Sequence, residues 1–510
     1  MNVGADLTSG RLLARNTLIN LGGEVLPFLV GLVALPILIH AVGVNRYGII
    51  TLSAMVVGYF GLFDFGLGAA ATKLIAEAAG SGDRTEIPSL FWTSLLLMFA
   101  FGTCGGVLAA VLSPALVHHV FRISASLQPE ALRAFHLLAF SLPFVISAGS
   151  LRGTLAAFQR FDLINAVRVP MGIFSYIGPL LVLPFSHELD YLVAVMVAGR
   201  LAAWLVSLVL CLRLLPELRG NPAFSRIAVL PMLRFGGWVA VSQIVSPVME
   251  YFDRFLIGAM LSMAAVAYYA VPYQVASKLW IVSAAIEGVA FAGFSSTFRT
   301  DPRRTALIFQ RATLWVLFAQ FPAVLAIVAL APEALRLWLG AEFARNSAGV
   351  LRWMAIGVFM NSLARMPSLI LLAAHRPDLT AKIHLVEVPF YCLFLWWILP
   401  RYGVEGAAVA WTLRISSDMA AFFFLGWRLL PQARATIAQV APVIAMAVLL
   451  LCGGFAFHSF AGALPFIAVV LASAGVGLWR LVLRAEEKAL IRGLFRSPGV
   501  LSREMRKSGL

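Results

Sequence analysis

LINLGGEVLPFLVGLVALPILI, running from Leu18 to Ile39, carries one charge, Glu24, in 22 residues. Wound as an α-helix it is about 33 Å long, enough to cross a hydrocarbon core of roughly 30 Å. Runs of this kind recur as far as Leu464 to Leu483, broken mostly by Gly, Pro or a lone charge. Across all 510 residues 61% are hydrophobic and 12% are charged, about half the charged share of an ordinary soluble domain. A soluble globular protein is excluded. The fold class is all-α and polytopic.

Breaks at Gly, Pro and charge clusters divide the chain into about 14 spans. They cover 15–41, 47–78, 88–112, 130–157, 163–185 and 189–212, then 235–260, 264–298, 305–330, 347–375, 380–399 and 405–428, and finally 437–457 and 464–483. The net charge is +15, from 39 Lys plus Arg against 24 Asp plus Glu. These basic residues cluster in the short gaps between apolar runs, so they report membrane orientation rather than nucleic-acid binding. With a cytoplasmic N-terminus the inner gaps carry Arg11, Arg84, Arg160, Arg213, Arg226, Arg303 and Arg376, together with a basic tail. The outer gaps hold little beyond Arg46, Arg122, Arg336, Arg345 and Arg401. A bias of about fourfold places both termini on the inside, which requires an even number of spans. No cleavable signal peptide is expected, because the first apolar run is too long for an h-region. Cys104, Cys211, Cys392 and Cys452 lie in separate apolar runs without metal or redox spacing, and read as packing residues.

The chain repeats itself. Arg160-x-Asp162-Leu163 returns as Arg376-x-Asp378-Leu379, Leu183-Pro184 as Leu399-Pro400, and Arg213-Leu-Leu-Pro216 as Arg428-Leu-Leu-Pro431. The common offset of about 216 residues equals six spans, so the repeat is parallel. The organisation expected is a cytoplasmic N-terminus (1–14), an N-lobe of six helices (15–215), an inter-lobe loop (216–234), a C-lobe of six helices (235–430), two appended helices (437–485) and a basic cytoplasmic tail (486–510). Lobes of this kind enclose a central cavity in which transporters bind cargo.

A charge at mid-membrane costs at least about 2.5 to 3.5 kcal/mol, so each one is a candidate functional residue. Arg200, Lys278, Arg365 and Arg414, with Arg254 nearer a span end, form a candidate cationic lining for an anionic cargo, and guanidinium groups suit phosphate. Asp64, Glu24, Asp253, Glu250 and Glu287 are candidate ion-coupling groups. Asp64 is distinguished by having no opposite charge at helical spacing and by the Gly66 and Gly68 that follow it. The plainer readings stand beside these. Arg168 and Arg352 lie near span ends and are expected to snorkel to the interface. Arg414 with Asp418, and Glu250 with Arg254, are four residues apart and form candidate structural pairs. No P-loop, HExxH or GxSxG occurs, and no loop exceeds about 25 residues, so neither ATP coupling nor an extramembrane catalytic domain is expected. The chain is read as a non-enzyme without cofactor or metal. Its energy would come from an ion gradient, the membrane potential or the cargo's own gradient.

Tyr47-Gly48, Tyr59, Asp64, Gly66-Leu67-Gly68 and Lys73 resemble the second helix of bacterial polysaccharide-type flippases, the O-antigen and lipid-linked-oligosaccharide carriers of the multidrug/oligosaccharidyl-lipid/polysaccharide exporter superfamily. Asp253-Arg254-Phe-Leu-Ile-Gly258 with Tyr268-Tyr269, and the run from Tyr402-Gly403 to Ala410, are similar to that family's seventh, eighth and twelfth spans. The resemblance covers roughly Asn16 to Leu430. It implies a V-shaped two-lobed fold that moves an undecaprenyl-diphosphate-linked oligosaccharide across the bacterial inner membrane by alternating access, with a cavity lined mainly by spans one, two, seven and eight. Sugar and diphosphate would occupy that hydrated cavity while the polyprenyl tail stays in lipid. A coupling H+ or Na+ and a glycan polymerase complex are the further partners considered. Rival readings are a cation-coupled drug exporter, a peptidoglycan-precursor flippase, a membrane glycan polymerase or ligase, and a passive scaffold. Glu250 departs from the family's pattern and leaves the role of Arg254 open.

Overall fold

A computed structural model describes residues 10–60, 64–81, 84–220, 224–481 and Lys488. Most of the basic tail, and the first nine residues, lie outside this set. Fifteen α-helices and short 3-10 or π turns hold most of the described residues, with no strand among them. The helices are α1 (Gly10–Val42), α2 (Val44–Phe60), α3 (Leu67–Ser81), α4 (Ile87–Ala115), α5 (Gln128–Ala157), α6 (Phe161–Val182), α7 (Leu189–Leu214), α8 (Arg226–Met260), α9 (Met263–Ser277), α10 (Trp280–Thr297), α11 (Pro302–Leu339), α12 (Ala341–Ala373), α13 (Pro377–Leu429), α14 (Arg434–Gly453) and α15 (Phe460–Leu481). Among the described residues, 11 helices are long and apolar enough to cross a membrane. Their outward faces carry large apolar side chains such as Val33, Val111 and Val469, each about 70% exposed. Faces of that kind suit hydrocarbon rather than water.

The chain forms two compact units. The first runs to Val271 and includes Val388–Ala407, and the second comprises Pro272–Glu387 and the chain from Ala408. In the first unit α4 and α5 pack closely because α4 presents Gly102 and Gly106 to its neighbour. A Cβ at Gly102 would stand 2.6 Å from Pro143 Cα, and one at Gly106 would stand 2.7 Å from the Ala139 carbonyl. Small residues four apart are what allow two backbones this approach. In the second unit α12 is the central helix, buried along most of its length between α11 and its other neighbours.

Two expected spans are interrupted. The span expected over 47–78 separates into α2 and α3 around Asp64, and the span over 264–298 separates into α9 and α10 at Lys278 and Leu279. Halves of 15 to 18 residues follow, which is why three of these four helices fall below the length or apolarity of a full crossing. Conversely, the spans over 380–399 and 405–428 run together as α13, interrupted only where Gly403 takes φ 57°. The seventh helix of the original division begins at Arg226 rather than Phe235, so the expected inter-lobe loop is shorter.

The duplication is visible in the backbone. Gln159 (φ 55°) and His375 (φ 57°) both adopt the left-handed conformation, 216 residues apart. At each, the following arginine N–H reaches back five residues, Arg160 to the Leu155 carbonyl and Arg376 to the Leu371 carbonyl, both at 2.9 Å. This is a Schellman helix end. The same arginines then grip the first acidic residue of the next helix, Arg160 Nε to Asp162 Oδ1 and Arg376 Nε to Asp378 Oδ1, each at 2.9 Å. Leu215 and Leu430 share φ −124° with ψ 86° and 81°, and each leads into a 3-10 turn starting at proline.

Candidate functional site

Asp64 sits in the gap between α2 and α3, where Phe65 (φ 46°) and Gly66 (φ 69°) turn the chain left-handed. Its Oδ1 accepts the Gly68 N–H at 3.0 Å, satisfying one of the donors a helix start leaves without a partner. Asp64 is therefore not in the middle of a continuous helix, as its sequence context suggested. Nor is it isolated from positive charge, because Arg152 of α5 lies within electrostatic reach.

Lys278 occupies the corresponding place in the second unit, 214 residues further on. The chain there tightens to three-residue turns, with the Lys278 N–H on the Val275 carbonyl at 3.2 Å and the Leu279 N–H on the Ala276 carbonyl at 3.0 Å. The buried Leu279 carbonyl accepts from Gln320 Nε2 of α11 at 3.0 Å. Interrupted helices at matching positions of two repeats mark the substrate region in many transporters, since irregular backbone at membrane depth persists only beside protein or a wet cavity.

The other sequence-selected charges divide into separate groups. Asp253 and Arg254 are buried in the first unit, the Arg254 side chain 6% exposed. Asp253 Oδ2 accepts the Tyr269 hydroxyl at 2.5 Å and its Oδ1 accepts the Arg254 N–H at 2.7 Å. The Arg254 guanidinium lies 3.6 Å from Asp253 and against the Tyr251 and Tyr269 rings. The candidate cargo cation Arg254 is thus placed beside the candidate coupling acid Asp253. In the second unit Arg365 Nε meets Glu287 Oε1 at 2.7 Å, so the structure brings a candidate cargo cation and a candidate coupling acid together as one ion pair. Asp418 Oδ1 lies 3.5 Å from His384 Nε2, and Glu387 Oε1 accepts from Ser417 at 2.8 Å. The ligand atoms of His384, Glu387 and Asp418 lie within 4.8 Å of one another, which makes them the residues best placed to hold a cation among those described. The side chains of Glu24 and Glu250 lie outside the described residues.

Residues 38–348 match the family model described as "Polysaccharide biosynthesis protein". The chain belongs to that family. This family member is 28% identical over 413 residues to a Shigella flexneri protein described as "Putative O-antigen transporter", covering 79% of this chain and 95% of the relative. Its fold is similar to that of the "Lipid II flippase MurJ, inward closed conformation", with TM-score 0.64 and 12% identity over 92% of this chain and 99% of that one. It is also similar to an inward-facing multidrug resistance MATE family transporter of the MOP superfamily, with TM-score 0.65 and 14% identity over 82% and 96% of the two chains. The protein is thus an all-α, multi-pass membrane member of a polysaccharide biosynthesis family with the MOP transporter fold. These relatives are named as transporters and flippases.

Two further arginines of this family member have defined places, and the first departs from its sequence reading. Arg352 does not snorkel. It is 5% exposed, its Nε donates to the Val328 carbonyl at 2.9 Å, and its other nitrogens reach the Phe455 and Phe457 carbonyls. The α14 helix ends in a 3-10 turn there, and a guanidinium supplies several donors at once to carbonyls left open by helix ends. Arg200 lines a cavity of about 460 Å³ among α5, α6 and α7, together with Arg152 and Arg168. No spacing in the sequence unites these three, which come from three different helices.

Proposed function

We propose that this protein moves an undecaprenyl-diphosphate-linked oligosaccharide from the cytoplasmic to the periplasmic leaflet of the bacterial inner membrane by alternating access, supplying surface polysaccharide synthesis. The observation that carries the proposal is the pair of interrupted spans at matching positions of the duplicated chain, one bearing Asp64 and the other Lys278, in a member of a polysaccharide biosynthesis family. The O-antigen transporter description of the Shigella flexneri relative supports the class of cargo. Fourteen crossings with both termini cytoplasmic accommodate the interrupted spans and the kinked α13. Lys278 faces the diphosphate, with Arg200 and Arg414 as additional cations, and Asp64 responds to a coupling H+ or Na+. The expected lobes, 15–215 and 235–430, rock around that cargo.

Conditional depletion of the protein, followed by leaflet-resolved analysis of the carrier lipid, tests this reading. Repeat units should accumulate on the inner leaflet and return to normal with the wild-type gene. Lys278→Ala and Asp64→Asn should not restore export. Full rescue by both would remove these site assignments, and unchanged leaflet distribution on depletion would remove the transport reading itself.

A further inference from the structure

His384 and Glu387 stand three residues apart on the first arm of α13, so they share one helix face. Asp418 stands on the second arm, beyond the Gly403 kink. All three belong to the second unit. At helical rise they lie about 11 to 17 Å inside the two ends of α13. An imidazole and two carboxylates are thus gathered from two arms of one helix, with their ligand atoms within 4.8 Å of one another. No spacing in the sequence announces the group, because its third member returns only after the kink.

Asp418 is the informative member. The residue is 3% exposed, and its Oδ1 has no hydrogen-bond partner among the described residues. That oxygen lies 3.5 Å from His384 Nε2, longer than the roughly 2.7–3.2 Å of an N–H···O hydrogen bond. The same separation is close to the edge of a tetrahedron, about 3.3–3.4 Å, whose corners stand about 2.0–2.1 Å from a central ion. Glu387 divides its two oxygens in a matching way. Oε1 accepts the Ser417 hydroxyl at 2.8 Å, which orients the carboxylate as an outer-shell partner does. Oε2 is buried and has no hydrogen-bond partner among the described residues. The His384 ring meets Phe422 edge-on at 6.1 Å. Arg414 lies within electrostatic reach of Glu387, and the site is marked by the placement of its ligand atoms rather than by net charge.

The ligand set selects the ion. Hard cations such as Mg2+ and Ca2+ take about six or more oxygens, whereas one imidazole nitrogen with two carboxylates suits a divalent transition ion, zinc in particular. Three protein ligands leave a fourth position for water.

We infer that His384 Nε2, Glu387 Oε2 and Asp418 Oδ1 form a binding site for a divalent transition-metal ion of the zinc type, which ties the first arm of α13 to the second within the second unit. Untagged full-length protein in nanodiscs, stripped with a chelator, is titrated with Zn2+, Co2+, Mg2+ and Na+, and binding is followed by calorimetry, by Tm and by the visible bands of tetrahedral Co2+. One Zn2+ per chain should bind and raise Tm, as any ligand of the folded state does. Asp418→Asn and Glu387→Gln should each weaken Zn2+ binding about tenfold or more and abolish the Co2+ bands, and Ser417→Ala should weaken it about tenfold through the outer shell. Should Asp418→Asn fail to fold, His384→Gln, at a side chain 31% exposed, gives the same readout. Unchanged Zn2+ affinity in His384→Gln and Glu387→Gln overturns the site. So does a loss confined to replacement of His118 and His119, the adjacent pair that follows α4. Stabilisation by Na+ or Mg2+ that depends on Asp418, with Zn2+ failing to bind, overturns the transition-metal assignment.

Discussion

The second and eighth spans are interrupted at matching points of the repeat, yet the two breaks are built by different means. The first is specified locally: two left-handed residues turn the chain and Asp64 caps the helix four residues on. The second contains no left-handed residue among those described. It is held by Gln320, 41 residues away, on the Leu279 carbonyl. The charges also complement opposite helix ends, with Asp64 beside the N-terminus of α3 and Lys278 beside the C-terminus of α9. After duplication the architecture of an interrupted helix was kept while its charge and its support diverged. This assigns the acid to one half and the cation to the other.

Reversing the sign of one break should have the largest effect. Lys278→Glu makes both breaks acidic and should reduce surface glycan about tenfold or more, as expected from turning a charge-assisted contact with an anionic cargo into repulsion. Lys278→Arg should retain export. Equal export in both variants would mean that the cation in the second break is only a helix-end complement. The next effect is on stability. Gln320→Leu leaves the buried Leu279 carbonyl without its partner and should cost about 1–3 kcal/mol, seen as a lower Tm in detergent. Gly66→Ala places a Cβ at φ 69° and should cost about 1–2 kcal/mol. Ser277→Ala, ahead of the other break, should stay within about 0.5 kcal/mol of wild type.

The sequence made some of this legible and hid the rest for physical reasons. Composition and run length are local properties, so the run from Leu18 to Ile39 declared a membrane helix without tertiary information. The Arg-x-Asp-Leu strings declared the duplication because the same helix end and ion pair were preserved in both copies. The breaks were hidden because apolar residues continue through them. The lengths of the runs, 32 residues over 47–78 and 35 over 264–298, were the available signal, since roughly 20 suffice to cross. Arg352 was misread because its partners are not at helical spacing: it meets carbonyls more than 100 residues on. Arg152, Arg168 and Arg200 converge only when three helices pack, so no periodicity could join them.

The smallest effect separates the two roles that Asp64 combines. Asp64→Ala removes both the charge and the Gly68 cap and should cost about 1 kcal/mol, together with a loss of export. Asp64→Asn keeps a side-chain oxygen that accepts the same N–H, so stability should hold within about 0.5 kcal/mol while export still falls. If Asn exports normally and only Ala fails, the acid in the first break serves the helix alone, and Lys278 has no functional counterpart in the other repeat. If Asn and Ala fail equally in export but differ in Tm, the charge acts apart from the cap. The two breaks would then be a matched pair of opposite sign, because the ionised carboxylate, rather than the turn it stabilises, is what transport needs.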